Sequence, residues 1–248
     1  MESPETVRIQ DYFAIASQQL EIVLAAQKAS MGEVARRWAD GILADRLLYL
    51  FGSGHSRFIA GELTWRAGGL APAVRIEDPS DGAAERLEGY ATTFMSQYDI
   101  QGGDIVVVIS NSGINATPIE AALYGREKGA TVIALTSMAH SRETPTRHSS
   151  GSRLFELADI VLDTMTVRGD AVVDLPGQAW RVAPTSTLIS VAILNAIVAQ
   201  TAQLLLDAGV MPPVLLSANV PEGDEHNRAI ADRYWRRLTQ FPRLGSLS

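Results

Sequence analysis

Residues 107–117 read Val107-Val108-Ile109-Ser110-Asn111-Ser112-Gly113-Ile114-Asn115-Ala116-Thr117, an apolar run that breaks into hydroxyl and amide side chains ahead of a helix-compatible stretch. The run is continuously apolar rather than alternating, which marks a strand covered on both faces, as in a parallel sheet between helix layers. Gly113 lets the backbone come close to a ligand. Ser110, Asn111, Ser112 and Thr117 set polar groups beside the amides of the next helix, whose partial positive charge favours an anion. The pattern points to a cradle for a phosphorylated small molecule, although the same residue types also cap helices for purely structural reasons.

A second stretch of the same kind lies upstream. Leu47-Leu48-Tyr49-Leu50-Phe51-Gly52-Ser53-Gly54-His55-Ser56 is again a strand-length apolar run ending in a Gly- and hydroxyl-rich turn, and Arg57–Ala67 continues as a plausible helix. Loops at the carboxyl ends of neighbouring parallel strands meet in one crevice, so Ser53, His55 and Ser56 are expected to face Ser110, Ser112 and Thr117. Neither turn is a nucleotide fingerprint: Gly52 and Gly54 are followed by Arg57 where a third glycine would stand, and there is no Walker lysine.

Around these turns the pattern alternates in the α/β manner, with strands expected at 46–51, 73–77, 104–109, 131–135 and 159–163 and helices at 56–68, 83–97 and 115–128. Ahead of them, periodic apolar positions predict two helices, 5–29 and 31–41, divided at Ser30-Met31-Gly32. Asp163–Pro184 reads as irregular, feeding a long helix 185–208 that Met211-Pro212-Pro213 closes off, and a last helix is expected at 224–238. No repeat of solenoid period is present. The chain reads as one domain over 1–248, with an N-terminal helical extension (about 1–41) and a C-terminal helical tail (about 212–248).

Composition narrows the function classes. In 248 residues, 46% hydrophobic content is ample for a packed core. The absence of cysteine excludes disulfides and thiolate metal sites and is compatible with a cytoplasmic location. A net charge of −7 argues against nucleic acid as partner, though not against an anionic metabolite held by local dipoles. Met1–Thr6 lacks the basic-then-apolar layout of a signal peptide. Leu188–Leu206 contains Ser190, Asn195, Gln200, Thr201 and Gln203 and reads as a buried core or interface helix rather than a membrane span. Its apolar residues on many faces predict a subunit interface.

The chain resembles the sugar isomerase (SIS) domain family. The residues carrying the match are Gly52-Ser53-Gly54-His55-Ser56, Ile109-Ser110-Asn111-Ser112-Gly113, Thr136-Ser137 and Ala183-Pro184-Thr185-Ser186-Thr187, within roughly residues 35–215. The resemblance implies a three-layer α/β sandwich with a five-stranded parallel, flavodoxin-like sheet and a homodimer or higher oligomer. It implies binding of a phosphorylated sugar, with Thr136 and Ser186 joining Ser53, Ser56, Ser110, Asn111, Ser112 and Thr117 as binding groups. Members include aldose–ketose isomerases, N-acetylmuramic acid 6-phosphate etherases and non-catalytic phosphosugar sensors. Bacterial phosphosugar-binding members are similar also at His140-Ser141, at Arg147-His148-Ser149-Ser150-Gly151, at Ser217-Ala218-Asn219 and at Asp224-Glu225-His226-Asn227. The function expected is phosphosugar binding with cofactor-independent aldose–ketose isomerisation; a sensor or an etherase-like lyase is the alternative.

Isomerisation through an enediol needs a base beside the carbonyl and a group to shuttle the hydroxyl proton, with no obligatory metal or organic cofactor. His55, Glu62, Glu85, Glu88, Glu225 and His226 are the carboxylates and imidazoles to weigh. His55 follows Gly54 directly in the first glycine loop, where related isomerases carry lysine; its alternative is a histidine satisfied by backbone groups. Glu62 falls on the following helix, as a catalytic glutamate does in other members, yet Arg66 one turn on offers an ordinary ion pair. Asp224 is the expected N-cap of the last helix, leaving His226 without a structural role and available for proton transfer; the alternative is a helix-surface residue. The etherase reading would use Glu85 and Glu88. The long connection Met138–Arg153 reads as a lid or interface piece, with Arg142, Arg147 and Arg153 able to approach a phosphate. His140 and His148, eight residues apart, lack metal-ligand spacing. Ile114 stands where arabinose 5-phosphate isomerase-like chains place a catalytic glutamate, and Asn115 cannot replace its base function, which weakens assignment to that activity and leaves room for a sensor that binds without turnover.

Overall fold

The computed structural model describes residues 6–234 and Arg237; the expected acidic N-terminus at Met1–Glu5 and the residues from Leu238 onward lie outside them. Five parallel strands, β1 (Leu48–Gly52), β2 (Ala73–Ile76), β3 (Ile105–Ile109), β4 (Thr131–Thr136) and β5 (Ile160–Asp163), form one sheet in the order β2-β1-β3-β4-β5. Alternate side chains feed two cores. Leu48, Leu50, Ile105, Val107, Ile133 and Leu135 enter one apolar cluster, while Tyr49, Phe51, Val106, Val108, Val132 and Ala134 enter the other. Each large aliphatic or aromatic side chain among them stabilises the fold by about 1.5–3 kcal/mol, which explains why the interior strands β1 and β3 carry no charged residue and are buried throughout.

The first cluster is covered by α1 (Val7–Leu43) and α7 (Ser186–Asp207), where Val34, Ala35 and Trp38 join Ile189, Ile193, Leu194 and Ile197. The second is covered by α3 (Tyr90–Met95) and α4 (Ala116–Glu127) through Phe94 and Ala121. By length and composition α7 is apolar enough to cross a membrane, but here it forms one layer of the core.

Several expected boundaries move. The division at Ser30-Met31-Gly32 does not occur: α1 runs through it, because Met31 is buried in the core and that packing outweighs the roughly 1 kcal/mol cost of a helical glycine. The helix expected at 56–68 is α2 (Arg57–Glu62), ended before Trp65, whose φ of 52° is left-handed. The helix expected at 83–97 shrinks to α3, because residues 78–87 form successive turns, Asp81 N to Asp78 O (3.0 Å), Ala83 N to Ser80 O (3.0 Å), Glu85 N to Gly82 O (3.1 Å) and Leu87 N to Ala84 O (2.9 Å). The Met138–Arg153 connection begins with α5 (Met138–Glu143), and α6 (Leu154–Leu157) follows it. The segment read as irregular holds an antiparallel hairpin of β6 (Ala171–Asp174) and β7 (Arg181–Pro184). The last helix, α8, starts at Gly223 and is described to Tyr234, so Asp224 lies inside its first turn and is not its N-cap.

The ground for expecting an interface at α7 also changes. α1 covers much of α7 within the chain, and exposed apolar side chains pass to α1 itself, at Ile9, Phe13, Ile22 and Leu24, with Leu188 and Leu206 remaining on α7.

Candidate functional site

In this strand order the chain leaves β1 toward β2 on one side and returns to β3 on the other, so the crevice above β1 and β3 is the switch point where α/β sheets take ligands. Gly52 pairs with Ile109 at the carboxyl ends of the two strands, which sets the Ser53–Ser56 turn beside the Ser110–Gly113 turn. The first turn doubles back so tightly that a Cβ on Gly52 would stand 2.4 Å from Ser56 O. Gly54 takes φ 54°, and a Cβ on Gly82 would meet the Gly54 backbone at 2.6 Å, so a third loop, 78–85, lies directly against the first.

Asp78 ties these loops together. Its carboxylate accepts from Ser53 Oγ (2.7 Å), Ser80 N (2.9 Å), Ser80 Oγ (2.7 Å), Gly82 N (3.0 Å) and Tyr90 OH (3.0 Å). Burial alone would raise its pKa, but the bonds from Ser53, Ser80 and Tyr90 prevail and hold it below the ordinary carboxylate value. Sequence reasoning passes over Asp78, though Asp78-Pro79-Ser80-Asp81-Gly82 is a turn signature placed right after a strand.

The expected binding residues divide by where their protons go. Ser112 is half-buried and has no hydrogen-bond partner among the described residues, and Ser56 Oγ is likewise open. Ser110 accepts from Gly113 N at 3.2 Å, which leaves its hydroxyl proton to give. The others donate inward. Ser53 gives its proton to Asp78, Thr117 to Ala84 O (3.3 Å), Thr136 to Asn111 O (3.3 Å) and Ser186 to Asp170. The Asn111 carbonyl oxygen Oδ1 is taken by Thr164 (3.3 Å) and Thr166 (2.9 Å).

The amides of α4 are less available than the sequence suggested. Thr117 N donates to Glu85 O at 3.1 Å and Pro118 has no N–H, so of the first three amide positions of α4 Ala116 alone has an N–H to offer an anion, and the preceding loop must supply the rest.

Of the acid–base candidates, His55 is exposed and packs edge-on against Phe58, with ring centres 5.2 Å apart. Glu85 is half-buried, with Oε2 3.9 Å from where a Cβ on Gly54 would stand. Glu88 instead accepts from Ser149 N (2.7 Å) and Oγ (2.6 Å), fixing loop 144–153 to loop 78–89. Glu62 receives Arg66 in a short ion pair. His226 does have a structural role, since its Nε2 donates to Val214 O at 2.9 Å while the neighbouring Asn227 clasps both backbone groups of Leu216. Val214 bridges to Leu70, ahead of β2, so His226 lies at the amino end of the sheet. Within one chain it is separated from the crevice by a five-residue strand, about 13–17 Å.

Loop 144–153 closes over the β3 turn. Arg147 N donates to Ile114 O (2.8 Å), Arg147 Nη1 to Asn115 Oδ1 (2.8 Å), and Leu154 N to Gly113 O (2.8 Å). His148 sits 3.7 Å from Glu120, whose carboxylate also takes Gly89 N and Ala91 N. His140, on α5, is kept below the ordinary imidazole range by burial and then by Arg168 nearby, and so is neutral at pH 7. Among the described residues no three His, Asp or Glu side chains converge as a metal-binding group.

A switch-point crevice walled by two Ser/Gly loops defines the class: residues 11–137 match the family model described as SIS domain, and the chain belongs to the SIS-domain family. Within it, the chain is 39% identical to a UPF0309 protein of Geobacillus kaustophilus over 93% of this chain and 95% of that protein. A UPF0309 protein of Brucella canis is 46% identical over 83% of this chain and 87% of its own length. Two solved structures share the fold. A phosphoheptose isomerase from Francisella tularensis matches with a TM-score of 0.58 at 18% identity, covering 81% of this chain and 100% of that one. The phosphoheptose isomerase of Neisseria gonorrhoeae matches with 0.56 at 21% identity, covering 79% and 97%.

Proposed function

We propose that the chain binds a phosphorylated sugar in the crevice above β1 and β3 and interconverts its aldose and ketose forms without a cofactor. The observation that carries the binding half is the set of open hydroxyls, Ser56, Ser110 and Ser112, on two turns whose backbones glycine brings close. A phosphate there receives charge-assisted hydrogen bonds from hydroxyls and loop amides. Arg147, already held at Asn115, adds a cation at the rim.

For the chemical half, a sugar whose phosphate rests on the β3 turn lies across Gly54, within reach of Glu85 and of His55, the next residue in the loop. One takes the proton from the carbon next to the carbonyl and the other carries the hydroxyl proton; the enediol then collapses the other way. His226, held at the amino end of the sheet, enters this scheme only in a crevice shared with a second subunit, and Glu62 only by giving up its pair with Arg66. We take the exposed face of α1, Ile9, Phe13 and Leu24, as the surface through which such a pair forms.

A sensor is the second reading, favoured by Ile114, which is buried where related isomerases carry a glutamate. The test is incubation with a panel of sugar phosphates in D2O. Deuterium entering the carbon next to the carbonyl supports isomerisation. Saturable binding of a sugar phosphate with no deuterium uptake supports the sensor, and absence of binding across the panel overturns both.

A further inference from the structure

The two threonines that take the Asn111 oxygen stand just past the carboxyl end of β5, and the chemistry proposed for the crevice leaves them unused. Thr164 and Thr166 are both buried. Their segment is pinned along its length: Thr164 N donates to Thr136 O (2.9 Å), Met165 N to Asp163 Oδ1 (2.8 Å), and Thr166 O accepts from Ser137 Oγ (2.6 Å). The two hydroxyls are thereby brought to one place, 2.9 Å apart, with Asn111 Oδ1 at 3.3 Å from Thr164 Oγ1 and 2.9 Å from Thr166 Oγ1.

Proton counting fixes which way the Asn111 carboxamide points. Three contacts join the three side chains, and neither hydroxyl has another partner among the described residues. With the oxygen inward, both hydroxyl protons are used over the two 2.9 Å contacts, Thr164 donating to Thr166 and Thr166 to Oδ1. With the NH2 inward, the same three contacts would have to serve four protons, two from the amide and two from the hydroxyls, and a buried donor would be left unpaired. The oxygen therefore faces the threonines and the NH2 faces out. Asn111 is half-buried, and its Nδ2 is reached by solvent and has no hydrogen-bond partner among the described residues. It stands on the β3 turn between Ser110 and Ser112.

We propose that Thr164 and Thr166 are positioning residues for the crevice, an inference that rests on the phosphosugar reading above. By holding the Asn111 oxygen inward they turn its NH2 to the bound phosphate, which accepts from Nδ2 alongside the Ser110 and Ser112 hydroxyls. The side chains of the turn then offer the ligand donors, and a phosphate, which only accepts, is the group such a surface selects. The inward and outward roles of Asn111 are separable, because an aspartate there keeps an acceptor for Thr166 and puts a negative charge in place of the outward donor.

Calorimetric titration of the full chain with inorganic phosphate and with a panel of pentose, hexose and heptose phosphates provides the test. Asn111→Asp should melt near the parent yet weaken binding of the panel's tightest sugar phosphate about ten-fold or more, the scale of one charge-assisted bond. Thr166→Val should weaken it too, and Thr166→Ser, which keeps the hydroxyl, should restore it. In an Asn111→Ala background Thr166→Val should cost no further affinity, since it acts through that amide; a merely structural threonine would act equally in both backgrounds. Parental affinity in Asn111→Asp overturns the outward NH2, and an equal loss from Thr166→Val with and without Asn111 overturns the positioning role. Both of those results leave phosphosugar binding standing, whereas no binding by the parent overturns that reading and this inference together.

Discussion

Two hydroxyls in the same stretch, Ser112 and Thr117, make opposite predictions. Ser112 is half-buried on the β3 turn and its hydroxyl has no partner among the described residues, so it can serve a ligand phosphate. A hydrogen bond to a charged group is worth about 1.5–3 kcal/mol, so Ser112→Ala should weaken sugar-phosphate binding about 10- to 150-fold while leaving the melting temperature unchanged. Thr117 is fully buried and its hydroxyl donates to Ala84 O at 3.3 Å. Thr117→Val keeps the shape but leaves that carbonyl without its partner, a cost of about 1–3 kcal/mol to the fold. At about 2–4 °C per kcal/mol for a chain of this size, its melting temperature should fall by roughly 2–12 °C. Binding, measured by calorimetry below that temperature, should change far less than in Ser112→Ala. The reasoning fails if Ser112→Ala binds like the parent, or if Thr117→Val loses affinity with no loss of stability.

Three further outcomes follow from particular contacts. Asp78→Asn should lower stability at neutral pH by about 1–3 kcal/mol, because the amide replaces a charged acceptor of five hydrogen bonds. The folded state depresses the Asp78 pKa below the ordinary 3.8, so the charge stabilises above that value and its contribution disappears as pH falls through the folded pKa; melting curves of parent and variant should converge in that acid range and stay apart at pH 7. His226→Ala should lower the melting temperature by releasing Val214 O; if the residue also serves a partner's crevice, deuterium exchange by the assembled protein falls about 100-fold, and unchanged exchange removes it from the chemistry. Phe13→Asp with Leu24→Asp should dissociate any oligomer formed through α1, read by sedimentation; an assembly of unchanged mass would locate the contact elsewhere.

What the sequence made legible was what depends on local pattern. Apolar runs marked the five strands, and the two Gly- and Ser-rich turns that follow β1 and β3, at 53–56 and 110–113, do lie side by side, because adjacent parallel strands carry their loops to one edge. The long helices were readable from periodicity, but the expected break in α1 was not a break, since nothing in the local sequence announces that α7 covers the surface around Met31. The third loop was hidden for a different reason. Residues 83–97 contain helix formers, and it is side chains from elsewhere that commit the chain to turns instead: the Asp78 carboxylate takes amides from Ser80 and Gly82, Ser80 Oγ takes Ala84 N, and Glu120 takes Gly89 N and Ala91 N.

The site shows the same division more sharply. Hydroxyl-bearing residues in a loop announce donors without announcing their recipients. Ser53, Thr117, Thr136 and Ser186 were indistinguishable in sequence from Ser112, yet their protons go to Asp78, Ala84, Asn111 and Asp170. One clue was present: Pro118, lacking an N–H in the first turn of α4, already removed an amide from the expected cradle. The place of His226 in one chain follows from topology. Its imidazole chemistry suits proton transfer, but α8 crosses the amino end of the sheet, where Arg233 meets Asp45 (2.6 Å) and Arg237 meets Asp104 (2.5 Å), residues that closely precede β1 and β3. Those two ion pairs fix α8 at the end of the strands opposite the Ser/Gly loops, so in one chain the same contacts that hold the helix in place keep His226 out of the crevice.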